Sequence, residues 1–128
     1  MSTPLQLYKT LIDGLVAIRP EVLRSWILER GWPDLPENRK FNELLSQLTH
    51  EQREVIADIA VQARDGGIHD ALVHLHDRIC IDGLRLVQGG VELPVEPFAT
   101  QLYWDWTARS QGEDWPDERT QTNATGNA

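Results

Sequence analysis

Apolar residues recur along most of the chain at the three- and four-residue spacing of amphipathic helices. The first set forms one face of a predicted N-terminal helix: Leu7, Tyr8, Leu11, Ile12, Leu15 and Val16. Thr3 followed by Pro4 is typical of a helix start, because threonine caps free N–H groups and proline needs no donor at the first position. The pattern resumes after Pro20 and predicts a second helix that ends at Gly31, a residue suited to a left-handed C-cap. Its expected buried residues are Val22, Leu23, Trp26 and Ile27.

Three more helices are predicted in the middle of the chain. The third covers residues 38–48, and a capping box that begins at Thr49 opens the fourth. Gly66 and Gly67 are expected to end the fourth helix, and a fifth follows over residues 68–82. The apolar positions expected to face the core are Phe41, Leu44, Leu45 and Leu48 in the third helix, Val55, Ile56, Ile59 and Ala60 in the fourth, and Ile68, Leu72, Leu75 and Ile79 in the fifth.

The pattern then changes to a short alternation of apolar and polar residues around Gly89 and Gly90. Two glycines between alternating segments are typical of a tight β-hairpin. A last helix is predicted to start at Glu96 and Pro97. Its apolar face would consist of Phe98, Leu102, Tyr103 and Trp106.

These elements predict a mainly α fold, a compact bundle of five or six helices with one short β-hairpin near residues 84–95. Residues 1–116 are expected to form a single globular helical domain. Residues 117–128 contain no large apolar side chain, so we expect them to be a disordered tail.

Charge narrows the classes of function. Twelve lysines and arginines stand against 20 aspartates and glutamates, a formal net charge of −8. Residues 65–128 hold four basic and 11 acidic side chains, so most of the excess lies in that half. Such a balance opposes binding to nucleic acid or to an anionic membrane surface. No apolar stretch approaches the length of a membrane span, no basic leader precedes one, and Cys80 is the only cysteine. We therefore expect a cytoplasmic protein.

The fifth predicted helix contains three of the four histidines, and this raises the question of a metal site. His69, His76 and Cys80 share one stripe of that helix, but one helix rarely supplies three ligands to the same ion. The doublets formed by His69 with Asp70 and by His76 with Asp77 resemble those of HD-domain metal phosphohydrolases, which are also helical. That resemblance implies a metal-dependent hydrolase as the alternative function. The family also requires an upstream histidine and a downstream aspartate, which this sequence does not supply in that context, so we assign no catalytic residue, metal or cofactor.

Tryptophan is the more informative residue type, with five copies in 128 residues. Trp26 and Trp106 fall on apolar helix faces and are expected in the core. Trp104 projects away from the apolar face of its helix, and two others lie in loops beside prolines. These three either pack over hydrophobic gaps or form a surface that contacts a partner, as exposed tryptophan often does. The candidate partner-binding residues are Trp32, Asp34, Trp104 and Trp115.

Three segments, at residues 30–38, 63–70 and 93–98, resemble a small bacterial family of unknown function. The resemblance covers most of the chain up to about Pro116, and it implies no activity, cofactor or catalytic residue. The sequence therefore favours a non-catalytic protein-binding or regulatory domain with an acidic, tryptophan-containing surface. The expected partner is another protein or a second copy of the chain, and enzymatic activity is not favoured.

Overall fold

The computed structural model describes residues 2–19 and 21–119. Within them the fold is mainly helical with one two-stranded hairpin, as predicted. The elements in chain order are α1 (Pro4–Ala17), α2 (Glu21–Ser25), a π-helical turn (Trp26–Arg30), a 3₁₀ turn (Pro36–Asn38), α3 (Arg39–Ser46), α4 (His50–Asp82), β1 (Val87–Gln88), β2 (Val91–Glu92) and α5 (Leu102–Ser110).

Helix α1 begins as the sequence predicts. The Thr3 hydroxyl accepts the backbone N–H of Gln6 at 3.2 Å, and the Gln6 side chain accepts the N–H of Thr3 at 2.9 Å. This reciprocal capping box satisfies two N–H groups that a helix start leaves without partners. Tyr8 and Ile12 are the buried residues of the helix.

Helix α2 passes directly into the π-helical turn, which ends at Gly31 as predicted. The Gly31 N–H bonds to the Trp26 carbonyl at 2.8 Å, and the Gly31 φ of 75° is a conformation that glycine adopts easily. A Cβ at this position would lie 2.8 Å from the side-chain oxygen of Asn42. Glycine is therefore required here for two reasons, its backbone conformation and the close approach of Asn42.

Helix α4 is the main difference from the predicted elements. The capping box at Thr49 is present, but the helix continues through Gly66 and Gly67 and joins the predicted fourth and fifth helices. A glycine costs a helix about 1 kcal/mol relative to alanine, which the surrounding turns can offset. The expected break at these glycines was wrong.

The buried apolar residues also differ from those predicted. One core consists of Ile27, Leu45 and Ala57, with partly buried residues packed around it. On α4 the inward face is centred on Ala57, and this turns Val55 and Ile59 outward. The predicted core residues that are instead exposed are Val22, Phe41, Leu44, Val55 and Ile59.

The hairpin has the predicted turn but very short strands. Val87 pairs with Glu92 and Gln88 pairs with Val91. Gly89 and Gly90 have φ values of 56° and 79°. A two-residue type I′ hairpin turn requires a positive φ at both of its central residues.

The last helix starts later than predicted. Glu96 and Ala99 have φ values of 49° and 61°, which are incompatible with a helix, and α5 begins only at Leu102. The predicted start at Glu96 and Pro97 was therefore wrong. The segment between the hairpin and α5 is an irregular turn, and it determines where the Glu96 side chain lies.

The chain divides into two compact units. The first comprises the described residues up to Ile18 and those from His69 onward, and α1 packs on α5 within it. The second is Arg19–Ile68 and contains the Ile27, Leu45 and Ala57 core. Among the described residues, no helix is both long and apolar enough to cross a bilayer.

Part of the predicted tail is described. Residues 116–119 form a helical turn, and Lys9 bonds to both carboxylate oxygens of Asp117, at 2.9 and 2.8 Å. The predicted disorder of residues 120–128 lies outside the described residues.

Candidate functional site

Trp115 lies in the interior of the first unit. Its side chain is 3% exposed, and the indole N–H donates to Asp13 at 3.3 Å. The ring packs at 5.6 Å from the ring of Phe98, and Lys9 and Arg109 lie 5.7 and 5.0 Å from its centre. This burial removes Trp115 from the predicted contact surface. The sequence placed it in a loop beside a proline and could not show the residues that cover it.

Trp104 has the predicted orientation. It is 60% exposed on α5, whereas Leu102 and Trp106 of the same helix are 4% exposed. None of the ring contacts between described residues involves Trp104. Trp104 is thus accessible as an isolated ring, and its role in binding stays a prediction.

Trp32 is part of an aromatic cluster in the second unit. Its ring lies 5.7 Å from that of Trp26 and 5.5 Å from that of Phe41. Trp32 packs against the core on one side, while Phe41 is 41% exposed and Leu44, one turn along α3, is 54% exposed. We call Trp32, Phe41 and Leu44 the aromatic patch. The sequence missed the patch because the spacing of Phe41 and Leu44 is the same as that of a core face.

The backbone around Trp32 is held by Asn42. The side-chain oxygen of Asn42 accepts the Trp32 N–H at 2.8 Å, and its amide N–H₂ donates to the Trp32 carbonyl at 3.0 Å. Asp34, the other predicted residue of this loop, is exposed. Trp32 and Asp34 belong to the second unit, and Trp104 and Trp115 to the first, so the four predicted residues do not share one compact unit.

A cluster of titratable side chains surrounds His76 in the first unit. His76 is 6% exposed, and its Nε2 lies 3.3 Å from the Cys80 sulfur and 3.3 Å from Oε1 of Glu96. Its Nδ1 accepts the Leu102 backbone N–H at 3.3 Å. A neutral imidazole that accepts at Nδ1 has its proton on Nε2. In this arrangement His76 donates toward Glu96 or Cys80 and is not a base for the thiol.

The two His-Asp doublets do not converge on one site. Asp70 is 89% exposed and lies 4.0 Å from His69, its own neighbour in sequence. His69 and His76 both contact the ring of Tyr103, at 5.3 and 5.7 Å, while Asp77 is exposed. The described residues therefore do not assemble the ligand set that the HD-domain resemblance implies.

A second buried polar group lies in the same unit as His76. Asp105 is 4% exposed and accepts hydrogen bonds from the hydroxyls of Tyr8 and Thr100, each at 2.5 Å. Burial and the Asp105 carboxylate raise the pKa of Tyr8 above its ordinary value. The cavity lined by Tyr8 and His76 has a volume of about 10 Å³. That is room for about one water molecule, so this cavity cannot hold a substrate.

The class of protein that these features define is a mainly α protein with an exposed aromatic patch and a buried histidine cluster. Comparison with known proteins gives the family. The model of a family of unknown function, DUF6547, matches residues 1–117, and the chain belongs to this family. No curated protein and no solved structure matches the chain. The family match agrees with the predicted resemblance to a family of unknown function.

Proposed function

We propose that the chain is a non-catalytic protein-binding domain and that the aromatic patch is its contact surface. The observation that supports this most directly is the contact of Trp32 with Phe41 at 5.5 Å, beside an exposed Leu44. Large apolar side chains that adjoin one another on a surface are typical of protein interfaces. Tryptophan in particular contributes a large share of binding energy at such surfaces.

The position of Trp32 is fixed before any partner arrives. The two hydrogen bonds with the Asn42 side chain hold its backbone, and the core packs against one side of its ring. A contact residue that is already ordered loses little conformational entropy on binding. This favours a binding surface over a loop that only covers a gap in the core.

Apolar packing, more than charge, is expected to select the partner. The second unit has seven basic and nine acidic side chains over residues 19–68, and Lys40 lies 5.3 Å from the centre of the Phe41 ring. Asp34 adds one exposed carboxylate near Trp32. The larger acidic excess of the chain is in the other unit, where it opposes contact with nucleic acid. We therefore expect the partner to be a protein. A single free cysteine is stable in the reducing cytoplasm, so we expect the contact to form there.

A photo-crosslinking amino acid at residue 41 or 44 tests this proposal in the cells that make the protein. We expect covalent adducts of one defined mass at both positions. The matched control is residue 87, because Val87 is 62% exposed but belongs to the first unit. An adduct at twice the mass of the chain would identify the partner as a second copy. Equal adducts at residue 87, or none at residues 41 and 44, would contradict the aromatic patch.

A further inference from the structure

We propose that His76, Cys80 and Glu96 bind a divalent transition-metal ion of the zinc class. Their ligand atoms all lie within 4.8 Å of one another. This inference goes beyond the proposed binding function and does not depend on it, because all three residues belong to the first unit, whereas the aromatic patch belongs to the second.

Two of the three distances between the ligand atoms fit one coordination sphere as they stand, and the third, between Cys80 and Glu96, is within 4.8 Å. Bonds from zinc to nitrogen, oxygen and sulfur place the ligand atoms of a tetrahedral site about 3.3–3.6 Å from one another. The His76 Nε2 is 3.3 Å from the Cys80 sulfur and 3.3 Å from Oε1 of Glu96. Three protein ligands would leave the fourth position for water.

Local structure brings the three side chains together. His76 and Cys80 are four residues apart on α4, so they share one face of the helix. Glu96 comes from the turn before α5, where its φ of 49° is unfavourable for a residue other than glycine. Such a conformation is strained and is found where the surroundings hold a side chain in a required position. Here it accompanies a carboxylate placed against His76.

The ligand types determine which ion is expected. Imidazole and thiolate favour zinc or a neighbouring transition metal, whereas magnesium and calcium require oxygen ligands. One thiolate and one carboxylate together balance the double charge of the ion. Cys80 and Glu96 are exposed, which gives the ion a path from solvent to the buried His76.

Binding has a defined proton balance. The Cys80 thiol releases its proton to solvent, and the ring proton of His76 moves from Nε2 to Nδ1. The bond from the Leu102 N–H to Nδ1 is then lost. The buried Leu102 N–H then faces the new Nδ1–H, so metal binding must also rotate the His76 ring or supply another acceptor, and the bond from Nε2 to the ion has to offset this.

The test is calorimetric titration of the untagged, chelator-treated full chain with zinc, followed by cobalt absorption spectroscopy. We expect one ion per chain and a thiolate-to-cobalt absorption band in the near ultraviolet. Cys80→Ser should remove the band. Glu96→Gln should weaken zinc binding by at least about a hundredfold, because the loss of a direct ligand costs more than the 10- to 100-fold lost with a residue that only supports one. Both residues are exposed, so these variants are expected to fold.

Two variants on the same helix are the controls. His74→Ala and Asp77→Asn change exposed groups within two residues of His76, and zinc binding should stay unchanged in both. Zinc should also protect Cys80 from alkylation in the unmodified chain. Less than a tenth of an equivalent of bound zinc, or equal binding by the Cys80→Ser and Glu96→Gln variants, would overturn the site.

Discussion

Tyr8 and Asp105 form the most enclosed polar contact described in this protein. The Tyr8 hydroxyl donates to Asp105 at 2.5 Å, and the two residues are 2% and 4% exposed. We predict that Tyr8→Phe lowers the free energy of unfolding by about 1.5–3 kcal/mol, because a buried carboxylate loses one of its hydrogen-bond donors. The measurement is urea denaturation at neutral pH. Tyr103→Phe is the control, since no described residue hydrogen-bonds the Tyr103 hydroxyl, and it should change stability much less.

The same pair gives stability a defined dependence on pH. The pKa of Tyr8 is raised in the folded chain, so the folded state keeps the phenol proton after the unfolded state releases it at about pH 10. The stabilisation is complete below that pH and declines as the pH rises further. When the denaturation is repeated at about pH 8 and about pH 11, the free energy of unfolding should decline less between the two for Tyr8→Phe than for the unchanged chain. An equal decline in both chains would contradict this assignment.

At the scale of single residues, exposure was harder to predict than residue type. Trp104 was correctly expected to point outward, because helix geometry alone determines that direction. Trp115 was expected either to cover a gap or to form a contact surface, and the structure buries it against Lys9 and Asp13, which lie about a hundred residues away in the sequence. The approach of Glu96 to His76 was also not predictable, since it depends on a left-handed backbone at a residue other than glycine.

At the scale of elements, the glycine pair inside α4 leads to a stability prediction. A Cβ at Gly66 or Gly67 would meet no atom within 4 Å. Alanine at both positions should raise the free energy of unfolding by about 1–2 kcal/mol, because each glycine in a helix costs about 1 kcal/mol. Gly31→Ala is the opposite control and should lower it by about 1–3 kcal/mol, since residue 31 has a left-handed backbone. Thermal or chemical denaturation of the unchanged chain, the double alanine variant and Gly31→Ala measures these effects. Destabilisation by the alanine pair would show that α4 is not continuous.

Most elements could be predicted from the sequence, but their limits could not always be. The caps at Thr3 and Thr49 were correct because they depend on side chains only three residues apart. The break expected at Gly66 failed because local propensity is weaker than the hydrogen bonds and packing of a long helix. The late start of α5 was missed for another reason, since neither Glu96 nor Ala99 is a residue type that signals the positive φ each adopts.

At the scale of the whole molecule, the expected single domain remains a proposal that unfolding can test. Helix α4 contains residues of both compact units without interruption. We predict one cooperative transition, because melting of either unit would also fray this shared helix. Helical circular dichroism and tryptophan fluorescence should therefore give coincident curves. Two separate transitions would show that residues 1–116 form two domains.

The chain order of the first unit has a consequence for synthesis. Tyr8 in α1 and its partner Asp105 in α5 are 97 residues apart, while the second unit is one continuous segment between them. At about 5–20 residues per second, α5 therefore emerges from the ribosome roughly 5–20 s after α1. The second unit can fold during that interval. Until α5 follows, the apolar face of α1 lacks its partner helix, and a chaperone or protease meets the nascent chain in that state.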